Sequence, residues 1–139
     1  MGIDQCRKIN LKKIDDARGS LTVVEGTKDI PFEIKRIYYI YNIPAGEYRG
    51  THAHRKLEQL MIAVSGSFDV IADDGSTKVK FHLSKPFEGL YIPQMIWREM
   101  SNFSSGTVCL VLASEIYDES DYIRNYGEYL NTVREKKMG

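Results

Sequence analysis

His52 and His54 flank Ala53 in the stretch GEYRGTHAHRKLEQLMIAVSG, and Glu58 follows four residues after the second histidine. Side chains alternate between faces in an extended strand, so the two histidines share one face. Glu58 joins them if the strand continues. Titratable groups on one face of an otherwise apolar region cost free energy unless they pair, bind a metal or do chemistry. Histidine titrates near neutrality, so a pair can accept a proton in one step and return it in the next. Two imidazoles and a carboxylate also suit a transition-metal ion.

The elements that must position these groups are strands. The segments 20–25, 32–43, 51–54, 57–64, 67–72, 77–83, 89–93, 96–100 and 107–114 are rich in apolar and β-branched residues. Gly-, Pro- and Asp-containing turns separate them, among them the hairpin signal Asp73-Asp74-Gly75. Short strands at regular intervals predict a sandwich or barrel. After Tyr117 the pattern changes. Asp118, Glu119, Ser120 and Asp121 suit a helix start, and Tyr122, Ile123, Tyr126, Tyr129 and Leu130 recur at helical spacing. We expect a barrel over about residues 8–115 and a helix over about 119–135, within one domain spanning residues 1–139.

Composition narrows the function classes. Nineteen basic and nineteen acidic residues give zero formal net charge, which disfavours nucleic acid or an anionic membrane as a partner. A local basic pocket remains compatible with that balance. No apolar run reaches the ~18 residues of a membrane span. The N-terminal MGIDQCRKINLKK has no apolar stretch of a secretion signal. Cys6 and Cys109 form no metal or redox motif. Free buried thiols and a cytoplasmic location are expected.

Gly46, His52, Ala53, His54 and Glu58 together resemble the first motif of the cupin superfamily. The second motif is degraded: Pro93, Met95, Arg98 and Asn102 stand where proline, glycine, histidine and asparagine are usual. Arginine stays protonated and offers no lone pair, so Arg98 cannot replace a metal-binding histidine. A three-ligand site of His52, His54 and Glu58 is the remaining metal arrangement. The reading carried forward has no metal and no cofactor.

Three blocks sharpen the resemblance: RGTHAHRKLEQ, GLYIPQMIWREM and LASEIYDESDYIRNY, in that order along the chain. Together they resemble the sugar nucleotide 3,4-ketoisomerases, the WxcM-like cupins of FdtA/QdtA type. The resemblance implies an all-β, cupin/RmlC-like jelly-roll β-barrel with a C-terminal helix. It implies a cytoplasmic isomerase acting on dTDP-4-keto-6-deoxy-D-glucose, which moves the keto group from C4 to C3. The 3-keto sugar would lead to 3-amino-3,6-dideoxyhexoses of surface glycans. Members are homodimers with exchanged N-terminal strands.

Carried onto this chain, the resemblance implies that His52 and His54 are catalytic, with His54 assigned as the C3 base and His52 moving the hydroxyl proton from O3 towards O4. Arg49 is assigned to the diphosphate, since its planar fork makes bidentate bonds to phosphate oxygens. Arg18 and Arg98 are expected to border the sugar ring. Both positions vary within the family, so the C4 configuration of the product, gluco or galacto, is left open. Tyr39 and Tyr91 are further substrate-contact candidates, and Glu58 is expected to orient a histidine. The alternatives are a sugar nucleotide 3,5-type epimerase and a non-enzymatic sugar-binding cupin.

Overall fold

Segments rich in Val, Ile, Leu, Phe and Tyr favour a pleated, half-buried surface, and the turns between them return the chain antiparallel. The computed structural model describes residues 2–138. Among these the strands are β1 (Arg7–Asn10), β2 (Lys12–Asp16), β3 (Gly19–Val23), β4 (Arg36–Ile40), β5 (Arg49–His54) and β6 (Gln59–Ser65). They continue with β7 (Phe68–Asp73), β8 (Lys78–Leu83), β9 (Glu88–Ile92), β10 (Trp97–Ser101), β11 (Val108–Ala113) and β12 (Tyr122–Ile123), before helix α1 (Tyr126–Met138).

Two five-stranded sheets, ordered β1-β9-β6-β11-β4 and β12-β5-β10-β7-β8, form the body, and β2 and β3 form a separate hairpin. The sheets pack face to face through one apolar cluster. Met61, Ala63, Leu90, Ile92, Cys109 and Val111 come from the first sheet, and Val70, Ala72, Leu83 and Met100 from the second. Each large side chain buried this way contributes about 1.5–3 kcal/mol. The outer face of the first sheet is covered separately, with Leu60, Ile62, Tyr91 and Leu112 packed under Leu11, Ile30 and Phe32. On the outer face of the second sheet, Trp97 and Ala53 pack against Ile123 and Tyr129. Two packed sheets match the sandwich or barrel expected from the strand pattern and the jelly-roll implied by the resemblance. The two cysteines are free and buried, and burial pushes each thiol up to about 12.

The C-terminal helix begins later than expected. Asp118 does cap a turn, accepting from the Ser120 N–H over 3.0 Å, but it caps a short 3₁₀ segment, Glu119–Asp121. Tyr122 and Ile123 then pair with His54 and Ala53 as an edge strand. Helix α1 starts only where Asn125 Oδ1 accepts from the Glu128 N–H over 2.9 Å. Helical spacing of the tyrosines misleads here because Asp121 and Tyr122 are engaged by residues about seventy positions earlier. Long-range partners outweigh a local helix propensity worth tenths of a kcal/mol per residue.

Candidate active site

Strand β5 carries the histidine pair between β10 and β12, with Arg98 opposite His52. The pairing is irregular. Arg98 aligns with His52 but Met100 aligns with Arg49, so β5 holds one extra residue in a bulge. Gly50 sits there at φ +67°, and a Cβ would lie 3.0 Å from Met100 Cε. Only glycine adopts that backbone without strain. The bulge also changes the alternation of faces. Arg49 and His52, three residues apart, line the same cavity.

His52 and His54 stand edge to face with ring centroids 4.7 Å apart. Tyr122 lies against both, at 4.9 and 4.3 Å. His54 has no exposed surface, and its Nδ1 is 3.1 Å from Asp121 Oδ2. The same carboxylate accepts from the Lys56 and Leu57 N–H groups over 2.7 and 3.3 Å. A carboxylate can only accept, so His54 carries its proton on Nδ1 and leaves Nε2 with a free lone pair. That Nε2 is buried without a partner. The arrangement is a carboxylate-held imidazole, the usual way to fix a base in its working tautomer.

A cavity of about 550 Å³ opens beside the pair, lined by Arg36, Tyr38, Arg49, His52, Tyr122 and Arg124 among others, with no carboxylate in its wall. This is a local basic pocket in a chain of zero formal charge. Arg124 lies 4.2 Å over the Tyr122 ring and is paired with Glu119 at 2.8 and 3.0 Å. Arg36 lies 5.2 Å from the Tyr38 ring and 5.6 Å from Tyr117, and its Nε and Nη2 are buried without a partner. Guanidinium groups held against aromatic rings with nitrogens to spare suit an anionic ligand. Burial first, and Arg98 second, push His52 down to about 3. The same two causes, joined by His52 and Arg36, hold His54 far below the usual imidazole range. Both histidines are therefore neutral bases at pH 7.

Several expected contacts fall elsewhere. Strand β5 ends at His54, and the turn before β6 reverses the alternation, so Glu58 does not join the histidines. It accepts from the Tyr91 hydroxyl over 2.6 Å, and Tyr91 packs with Phe32 on the outer face of the first sheet. Glu58 and Tyr91 are thus not cavity residues, and among the described residues no three His, Cys, Asp or Glu side chains form a metal-ligand group. Gln59 takes the inward place next to Arg98. Arg98 is wholly buried, donating to Gln59 Oε1 and, over 3.1 Å, to the Ile96 carbonyl; its Nη2 has no partner. On β4 the inward face is Arg36 and Tyr38, while Tyr39 is 61% exposed at the cavity rim. Arg18 lies at the tip of the β2–β3 hairpin, its side chain 90% exposed and paired with Asp16 at 2.8 Å, outside this cavity. Sequence reasoning missed Asp121, Tyr122, Gln59, Arg36, Tyr38 and Arg124 as site residues. Strand alternation separates Arg36 and Tyr38 from Tyr39 and Tyr41 on β4, but it does not say which face is inside.

Comparison with known proteins bears on the family and the fold. The family model FdtA, described as WxcM-like, C-terminal, matches residues 4–134. The chain is 48% identical over 134 residues to the TDP-4-oxo-6-deoxy-alpha-D-glucose-3,4-oxoisomerase of Aneurinibacillus thermoaerophilus, covering 94% of this chain and 96% of that protein. Among solved structures, the TDP-quinovose 3,4-ketoisomerase WlaRB of Campylobacter jejuni is 51% identical with a TM-score of 0.89, covering 93% of this chain and 99% of that one. A variant of the 3,4-ketoisomerase QdtA of Thermoanaerobacterium thermosaccharolyticum, in complex with TDP-4-keto-6-deoxyglucose, is 44% identical with a TM-score of 0.91 over 94% of each chain. The dTDP-4-dehydrorhamnose 3,5-epimerase of Bacillus anthracis shares only the fold, at 15% identity and a TM-score of 0.76, covering 88% of this chain and 79% of that one. The match over nearly the whole chain and the relatives' identity place this chain in the FdtA family, the WxcM-like C-terminal proteins.

Proposed function

We propose that the chain, acting as one cupin domain, is a 3,4-ketoisomerase of a TDP-linked 4-keto-6-deoxyhexose. It is an isomerase by family, and the observation that carries the substrate class is the neutral histidine pair beside an arginine-lined cavity free of carboxylates. The C4 carbonyl acidifies the C3 hydrogen. A base takes that proton, and the C3–H electron pair forms the C3–C4 double bond while the carbonyl oxygen O4 takes the negative charge. The O3 proton passes to O4, the carbonyl forms at C3, and C4 receives a proton. No oxidant or reductant is needed.

His52 lines the cavity and His54 lies behind it with no exposed surface, which favours His52 as the C3 base. This reverses the assignment made from sequence. His54 supplies the second lone pair for moving the O3 proton. Arg49, Arg36 and Arg124 receive the diphosphate, and Tyr39 at the rim meets the nucleotide side of the ligand. Arg98 fixes a positive charge behind the sugar.

A second copy of the chain completes the picture. The hairpin that carries Arg18 forms a sheet of its own, and Ile14 and Leu21 on it are 47% and 54% exposed. We assign it to a homodimer with exchanged N-terminal strands, in which Arg18 reaches the partner's substrate. Sedimentation at micromolar concentration should give twice the chain mass, and deleting the hairpin should give monomers; a monomeric intact chain would sink the assignment. No helix among the described residues is long and apolar enough to cross a membrane. The free buried thiols fit a reducing cytoplasm.

The direct test follows TDP-4-keto-6-deoxyglucose by NMR in heavy water with chelator-treated protein. Appearance of a 3-keto sugar establishes the isomerase, and its coupling constants give the C4 configuration. Deuterium at C5 would instead indicate an epimerase. No product and no exchange would leave a sugar-binding protein.

The depressed His52 sets the expected pH dependence. In the free protein its lone pair persists well below 6.5, so kcat/KM should show no acid limb near 6.5. A bound diphosphate offsets the arginines that repel the imidazolium, so the acid limb of kcat should lie at higher pH than that of kcat/KM. Stability follows the same sign. The unfolded chain binds the His52 proton first as pH falls through 6.5, and this contribution is lost progressively down to about 3. Rate profiles from pH 4 to 9 check the first point, and denaturant midpoints over the same range check the second.

A further inference from the structure

We propose that Glu119, held in turn by Tyr117, is a positioning residue that locks Arg124 with its terminal edge free, as a preset clamp for the ligand's diphosphate. The inference rests on the ketoisomerase reading for the diphosphate-bearing ligand and adds two residues that reading does not use.

The segment after β11 builds the clamp. Asp118 caps the 3₁₀ turn that begins at Glu119, and Tyr122 then pairs with His54 on the edge of the second sheet. The Arg124 guanidinium lies 4.2 Å over the Tyr122 ring. Along its side edge, Nε and Nη2 donate to Glu119 Oε1 and Oε2 over 2.8 and 3.0 Å. The Tyr117 hydroxyl donates to the same Oε2 over 2.5 Å, so the carboxylate is itself held. The Tyr117 and Tyr122 rings are 5.8 Å apart. A guanidinium carries five N–H groups. Glu119 takes two, and the three on the Nη1–Nη2 edge are left for a ligand. Arg124 lines the cavity, whereas Glu119 and Tyr117 do not. The bond from Arg124 first, and that from Tyr117 second, hold the Glu119 carboxyl down to about 2, so it is ionised at neutral pH. The Arg124 and Glu119 side chains are 54% and 58% exposed, and an ion pair so exposed adds little to stability. What it does change is the order of a long side chain at the cavity wall.

The carboxylate has two opposing effects on a bound diphosphate. Its charge repels the ligand, and its bonds spare the ligand the cost of ordering Arg124. At an open rim, water and salt screen the repulsion. A preset fork forms charge-assisted bonds to phosphate oxygens with little further ordering. Order therefore outweighs charge, and Glu119 tightens binding although its sign is wrong for it. The diphosphate does not react, so the gain is the same in the ground state and the transition state. It appears in KM more than in kcat.

The test uses the intact protein. It measures TDP affinity by calorimetry, and kcat and KM with TDP-4-keto-6-deoxyglucose, for wild type, Glu119→Gln, Tyr117→Phe, Arg124→Gln and the Glu119→Gln/Arg124→Gln double variant. Glutamine has nearly the same size, no charge and only one acceptor oxygen. Glu119→Gln should weaken TDP binding by about 3–10-fold, the cost of ordering one long side chain. KM should rise in proportion, with a smaller change in kcat. Tyr117→Phe keeps the charge and loosens the carboxylate, so it should weaken TDP in the same direction by less. In the Arg124→Gln background, Glu119→Gln should cost no further affinity. Unchanged or tighter TDP binding by Glu119→Gln would overturn the proposal, because charge would then outweigh order. A loss equally large without Arg124 would overturn it too, since Glu119 would then act through the fold. A wild-type protein that binds no TDP would remove the clamp outright. TDP binding with this pattern, but with neither 3-keto sugar nor C3 exchange, would remove the ketoisomerase reading and leave the clamp standing.

Discussion

Replacing His52 with asparagine is expected to lower kcat by about 10²–10⁴-fold, the usual contribution of a positioned general base. Asparagine keeps the approximate shape, and its amide nitrogen has no lone pair for a C3 proton. The ring it replaces contacts His54 at 4.7 Å and Tyr122 at 4.9 Å, both of which keep other partners, so the fold should survive. TDP should still bind, because the arginines that line the cavity are untouched. Exchange of the substrate C3 hydrogen in heavy water separates the two histidines. It should vanish in His52→Asn if His52 takes that proton. Exchange that persists in His52→Asn but vanishes in His54→Asn would return the base role to His54.

The second large effect is expected at Asp121. Its Oδ2 accepts from His54 Nδ1 at 3.1 Å and from Leu57 N–H at 3.3 Å, while Oδ1 accepts from Lys56 N–H at 2.7 Å. In Asp121→Asn the amide oxygen can keep the shorter bond only by turning its NH₂ towards His54 and Leu57. Two donors then meet. His54 relieves the clash by moving its proton to Nε2, which removes the free lone pair from that nitrogen. Activity should fall by about 10²–10⁴-fold, as when a triad carboxylate is replaced by its amide. The Leu57 N–H loses its acceptor, which should cost about 1–3 kcal/mol of stability. A thermal melt separates the two effects: activity assayed well below a lowered Tm should still be lost. Near-normal turnover of folded Asp121→Asn would show that the tautomer of His54 does not matter to the reaction.

Much of the architecture was legible along the chain. Strand runs cut by Gly, Pro and Asp-Gly turns are local signals, and they predicted an all-β body correctly. The i, i+2 spacing of His52 and His54 was enough to place them on one face, because the pleat of a strand has period two whatever it pairs with. The free, buried cysteines followed from the absence of any pairing motif. The three family-like blocks pointed to the FdtA family before any geometry was considered.

Other features depended on partners far away in the chain. Glu58 was grouped with the histidines by assuming one continuous strand, but the turn after His54 breaks the register and gives Gln59 the inward place. Arg49 reaches the cavity through a bulge at Gly50, which strand period alone would deny. Arg18 is carried away by its own hairpin. Asp121 read locally as a first-turn helix residue, yet its acceptor capacity is used by His54, Lys56 and Leu57. On β4, alternation separated Arg36 and Tyr38 from Tyr39 and Tyr41, but only the opposing sheet decided which pair faces inward. Sequence by itself thus determined the strand class, the histidine pair and the family, because these rest on local periodicity and contiguous motifs. Tertiary structure decided the rest of the site, because hydrogen-bond direction, burial and register depend on which distant residues meet.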